Sequence, residues 1–193
     1  MKLNNNIFLI YKLFNSMFTG LSIGILFTIY KPIENPSIFS IGGMVLAIGM
    51  LVLARYYDKL LNIKNFLRIS ILVEMIILIT LFIFLSFQLS ITSALLIYCG
   101  YQITFIFGGY LVRAETLVAQ EKDFIGSIDF NKQVGYLIGL ALSFIFYKTL
   151  ELGFEISNSI AQIKILHYFL ICLQILIIVL LVKSFDKMNS IYK

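Results

Sequence analysis

Glu74 is the residue of this 193-residue chain that asks most of its surroundings. It stands nine residues past Asn65 in an apolar run, which at about 1.5 Å per helical residue puts it roughly 13 Å into a helix. A carboxylate that deep in hydrocarbon costs a few kcal/mol and is paired, protonated or functional. Two roles are open to it: a proton-coupling site, or a structural carboxyl hydrogen-bonded to Ser70 one turn earlier. His167 is the only histidine and has no acidic or cysteine company, so it reads as a packed residue. Cys99 and Cys172 lie inside apolar runs without a CxxC partner and indicate neither a disulfide nor a metal site. No GxSxG, HExxH, glycine-rich phosphate loop or carboxylate pair with a histidine in reach occurs. The expectation is a protein that is not an enzyme, with no metal and no cofactor.

The remaining polar residues fall into groups. Lys12, Asn15, Ser16, Thr19 and Ser22 lie in the first apolar run, and Asn15, Thr19 and Ser22 follow helical spacing as one stripe. The fourth run offers Tyr98, Tyr101, Gln102 and Thr104. Such amide, hydroxyl and aromatic groups orient a small polar or amphipathic ligand, or they bond helix to helix, as membrane bundles do routinely. Lys12 is expected to snorkel its ammonium to the membrane interface. Arg113 and Glu115 read as interfacial anchors, or as a gate salt bridge to Asp129 or Lys132. Gly20 with Gly24, and Gly135 with Gly139, are small-xxx-small pairs that let backbones approach closely, either within the bundle or at a dimer surface.

The elements that position these residues follow from composition. The chain is 60% hydrophobic and only 13% charged, with a mean hydropathy of +0.97, against roughly a quarter charged in a soluble domain. Apolar runs near 20 residues match the length of helix needed to cross about 30 Å of hydrocarbon. They predict an all-α polytopic bundle of six spans in one domain, over about 7–30, 37–57, 66–87, 91–115, 130–150 and 160–185. Pro32 and Pro36 close the first connection, a nearly chargeless turn lies at Gln88-Leu89-Ser90, and the polar stretch Gln120 to Asp129 reads as a loop. The N-terminus resembles a signal-peptide n-region, but Lys12 interrupts the apolar run and no small-residue cleavage site follows, so a retained first helix is expected.

Twelve of the fifteen Lys and Arg collect on one side, namely Lys2, Lys12, Arg55, Lys59, Lys64, Arg68, Arg113, Lys122, Lys132, Lys183, Lys187 and Lys193; Lys31, Lys148 and Lys164 take the other. Their placement in short loops predicts a cytoplasmic (inner) membrane protein with both termini in the cytoplasm. The net charge of +5 is thereby a matter of topology, with no nucleic-acid partner expected. A shift of 90 residues sets Ile48-Gly49 on Ile138-Gly139 and overlays spans two and five. The two triplets start on opposite sides, as an inverted repeat requires.

The segment Ala54-Arg55-Tyr56-Tyr57-Asp58-Lys59-Leu60-Leu61-Asn62-Ile63 resembles the helix 2–3 hinge of the major facilitator superfamily, G-x-x-x-D-R/K-x-G-R-R/K. It keeps the Asp-basic pair, replaces the glycines with Ala and Leu, and moves the later basic charge to Lys64 and Arg68. Arg113 to Gln120, followed by Lys132 to Gly139, resembles the family's helix 4 exit and glycine-bearing helix 5 entry. The resemblance implies a half-size transporter of a small solute, since family members carry twelve helices in two bundles. A homodimer, or a second six-helix chain, would supply the missing bundle for alternating access. It further implies a path lined by helices 1 and 4, with Asn15, Thr19, Tyr101, Gln102 and Glu74 as candidates, although helix 3, which carries Glu74, is peripheral in the family. The cytoplasmic hinge or gate would use Asp58, Lys59, Arg113 and Asp129, and the bundle interface Gly135 and Gly139. The alternative is a non-transporting membrane subunit that scaffolds or regulates a larger complex.

Overall fold

The computed structural model describes residues 2–87 and 90–186. Asn4 opens α1 (Asn5–Tyr30), its side-chain oxygen accepting from Ile7 N at 3.3 Å. Asn35 caps α2 (Pro36–Arg55), with Pro36 in the first turn, where its missing N–H costs nothing. The second span ends at Arg55, short of the expected Tyr57, because the chain breaks at Tyr56 into a single turn, α3 (Tyr57–Leu60). Asn62 Oδ1 accepts from Asn65 N at 2.9 Å as α4 (Ile63–Phe87) begins. Gln88 and Leu89 of the expected turn lie outside the described residues; Ser90 forms a capping box with Ser93 at the start of α5 (Ile91–Ala119). Helices α6 (Lys122–Gly153) and α7 (Ser159–Lys183) follow, the latter capped by Asn158.

Six of these helices, α1, α2 and α4–α7, are long and apolar enough to cross a membrane. The chain is thus an all-α polytopic membrane protein. Two-residue strands β1 (Lys2–Leu3) and β2 (Phe185–Asp186) pair antiparallel and join the ends of the described chain. Lys187 and Lys193, counted above by charge, lie outside the described residues.

The loop expected over Gln120 to Asp129 is instead helix. Only Gln120 and Glu121 separate α5 from α6. Phe124 and Ile128, four residues apart, bury one helical face, and the Phe124 ring lies 6.4 Å from that of Phe8. Asp123 in the first turn also favours the helix N-terminus electrostatically. The sharp connection forces Gln120 to φ 60°, a conformation glycine adopts without Cβ strain. Gln120→Gly is therefore expected to stabilise the protein by up to about 1 kcal/mol in an unfolding titration in bicelles.

The helices pack in a repeating pattern. Helix α1 lies against α6 and α7, α5 against α2 and α4, and α4 meets α7. Exchanging α1 with α5, α2 with α6 and α4 with α7 maps this set of pairings onto itself. Gly49 and Gly139, ninety residues apart, both sit where the second helix of a triplet meets the other triplet. A Cβ on Gly139 would fall 2.2 Å from Met17 O, and one on Gly49 2.5 Å from the Ile106 side chain. The aromatic rings of Phe8, Phe66 and Phe185 close the end where the strands pair, with centroids 5.9–6.2 Å apart.

Candidate functional site

Glu74 sits in α4 at 2% exposure. Its partner is not Ser70. Oε1 accepts from Tyr11 OH and Asn15 Nδ2, each at 2.8 Å. Oε2 accepts from Gln174 Nε2, also at 2.8 Å, and the same amide donates to the Glu74 carbonyl at 2.9 Å. Three helices therefore meet at one carboxylate through neutral donors. Gln174 Oε1 is buried without a hydrogen-bond partner, so the amide is oriented by what its nitrogen reaches.

Beside Glu74 a cavity of about 340 Å³ opens between α1, α4 and α5, within the range of small-molecule sites. Asn15, Thr19, Glu74 and Tyr101 all line it, as do Ser22 and Thr104. The hydroxyls of Thr19 and Ser22 donate to main-chain oxygens of their own helix, at 3.2 and 3.4 Å, so their own donors are satisfied within α1. Gln102 does not belong to this group, against the expectation that it lines the same path. Tyr98 and Gln102, four residues apart on α5, face a separate groove of about 270 Å³ against α2, whereas Tyr101 and Thr104 face the cavity. In that groove Gln102 Oε1 is buried without a partner, and Tyr98 OH donates to Phe39 O at 3.3 Å.

Lys12 does not snorkel outward. It lies 9% exposed on the cavity wall and pairs with Glu115, whose other oxygen pairs with Lys132. One carboxylate thus sits between two ammoniums and ties α1, α5 and α6 together. Lys132 also reaches Asp129 at 3.5 Å within α6.

Of the gate pairs expected across this connection, Glu115–Lys132 is formed, whereas Arg113 and Asp129 make no ion pair with each other. Arg113 instead donates to Tyr57 OH and Gly109 O, each at 3.3 Å, with its guanidinium 5.5 Å from the Tyr57 ring centroid. It binds α5 to the α3 hinge, where Tyr110 OH also donates to Leu60 O at 2.9 Å. Asp58 and Lys59 are exposed on α3, in no ion pair among the described residues. Gly135 and Gly139 face α1 inside the chain: a Cβ on Gly135 would lie 2.1 Å from Leu13 O. The contact expected there with a second bundle is already occupied by α1. His167 stacks on Phe84 with centroids 4.0 Å apart and its Nδ1 lies 2.8 Å from Ile163 O.

Sequence reasoning passed over Tyr11 and Gln174. The signal for Gln174 was present: an amide inside the run Leu173-Gln174-Ile175 of α7 is as conspicuous as Glu74. Tyr11 offered none, since its ring is at home in any apolar helix. Compared with protein-family models, curated proteins and solved structures, the chain matches none of them.

Proposed function

We propose that this chain is a half-size solute transporter resembling one six-helix bundle of the major facilitator superfamily, working by alternating access as a homodimer or with a second six-helix chain. The observation that carries the reading is the cavity of about 340 Å³ between α1, α4 and α5, with a buried carboxylate on its wall. The exchangeable pairing of the two helix triplets supports it, because repeat-built transporters place their sites between such halves. So does the hinge: Asp58 and Lys59 are exposed for contact with a second bundle, and α2 buries only Gly42 along its length. In this reading both chain ends face the cytoplasm from the inner membrane, following the basic loops, and the protein is not an enzyme.

A second reading, a non-transporting subunit of a larger membrane complex, draws on one observation. Asn15 and Gln174 each already bond to Glu74 between helices.

Subunit counting in native-lipid nanodiscs, combined with cysteine labelling, separates the two. In a chain with the exposed Cys99 and Cys172 replaced by serine, Thr19→Cys and Thr104→Cys are expected to react with a small water-soluble thiol reagent. Gln102→Cys is expected to react at least tenfold more slowly. A monomer with all three positions unreactive would overturn transport and leave the subunit reading.

A further inference from the structure

The electrostatics of the cavity wall are lopsided. Glu74 is buried, yet every group bonded to it is neutral: a phenol, and two carboxamides. A carboxylate offers about four acceptor positions; Oε1 uses two and Oε2 one. The nearest ammonium on the wall, Lys12, is engaged by Glu115, and Lys132 by Glu115 and Asp129. Buried charges are ordinarily matched by an opposite charge in contact, and among the described residues Glu74 has none. The other wall features point the same way. Phe18, Phe66, Tyr101 and Phe105 line the cavity with rings, whose faces attract cations. An anionic ligand would meet an ammonium already paired with Glu115 and a carboxylate with no ammonium in contact.

We infer that the cavity takes a small amphipathic monocation, a primary or secondary amine whose ammonium meets Glu74 and whose apolar body lies among the rings. This rests on the cavity being the solute site, and it names the solute's chemical class. The recognition is by charge at one end and shape at the other, as in mostly apolar sites with few polar groups.

The test uses the full chain in nanodiscs and equilibrium retention of three radiolabelled probes of one shape: 4-phenylbutylamine, 4-phenylbutanol and 4-phenylbutanoate. Saturable retention of the amine is expected, with the alcohol and the acid at least tenfold weaker. Glu74→Gln is expected to weaken the amine at least tenfold and leave the alcohol unchanged. Gly108 lines the same cavity and a Cβ there meets nothing within 4 Å, so Gly108→Leu adds bulk to the cavity from a position where its Cβ meets no packed backbone. It should abolish saturable amine retention in a monodisperse protein, which keeps the test decisive if Glu74→Gln fails to fold. Equal retention of amine and alcohol, or an amine affinity unchanged in either folded variant, would overturn the inference. Proteoliposome uptake separates the two readings. Saturable amine binding without uptake sinks transport and leaves the cation site standing, whereas uptake of a neutral or anionic solute blocked by Gly108→Leu sustains transport and sinks the cation site.

Discussion

Glu115→Gln is expected to destabilise the bundle by about 3–5 kcal/mol, the usual cost of removing one partner from a buried ion pair. Glu115 is 7% exposed and receives Lys12 and Lys132 at its two oxygens. The substitution keeps the shape but leaves two ammoniums facing a neutral amide. Their fates differ. Lys132, with its side chain 27% exposed, can turn to Asp129 and the interface, whereas Lys12 on the cavity wall cannot leave without unpacking α1. The asymmetry gives a test that the loss is electrostatic. Adding Lys12→Met to Glu115→Gln removes the stranded charge, and the double variant is expected to regain most of the loss. Unfolding in bicelles, analysed as a double-mutant cycle, reads this coupling directly. A double variant no more stable than Glu115→Gln would mean that the three side chains serve packing alone.

This triad also marks the limit of what the sequence could reveal. Hydropathy locates the six spans because lipid imposes a length and polarity on each helix independently of its neighbours. Caps were equally local: Asn4, Asn35, Ser90 and Asn158 stand directly before their helices. The start of α6 escaped because the criterion for a span is continuous apolarity. Lys122 to Lys132 carries its burial on only Phe124 and Ile128. Of the pairings across the bundle, Glu115 with Lys132 was among those expected, and the one with Lys12 escaped for a different reason. Lys12 and Glu115 are distant in sequence and meet only once α1 and α5 are rotated about their axes. The same rotation decides that Tyr101 reaches the cavity while Gln102 next to it reaches α2. At 3.6 residues per turn adjacent side chains diverge by about 100°, so sequence names the polar residues of a helix without saying which neighbour each one faces.

The close approach of α1 to α6 sets a large steric penalty. Along α1 and α6 three glycines bring backbone to backbone: an added Cβ would lie 2.4 Å from Tyr136 O at Gly20, 2.1 Å from Leu13 O at Gly135 and 2.2 Å from Met17 O at Gly139. Because each obstructing atom is main chain, no rotamer change relieves the clash; the helices themselves must separate. Overpacking costs about 1–3 kcal/mol where side chains can shift, and Gly139→Val, against a rigid helix, is expected to exceed that range. Parting α1 from α6 would also pull Lys12 and Lys132 from Glu115, so the steric and electrostatic losses are coupled and the variant is expected to fail to assemble at all. The control is a glycine replaced where space is open. At Gly24, Gly43 and Gly126 a Cβ meets nothing within 4 Å, and Gly→Ala there is expected to be neutral or to stabilise by about 0.4–1 kcal/mol through the unfolded chain. Expression of folded protein and unfolding in bicelles give both answers from one panel. If Gly139→Val folded with the stability of Gly24→Ala, α1 and α6 would not be in contact through these glycines, and the face would again be open to a second bundle.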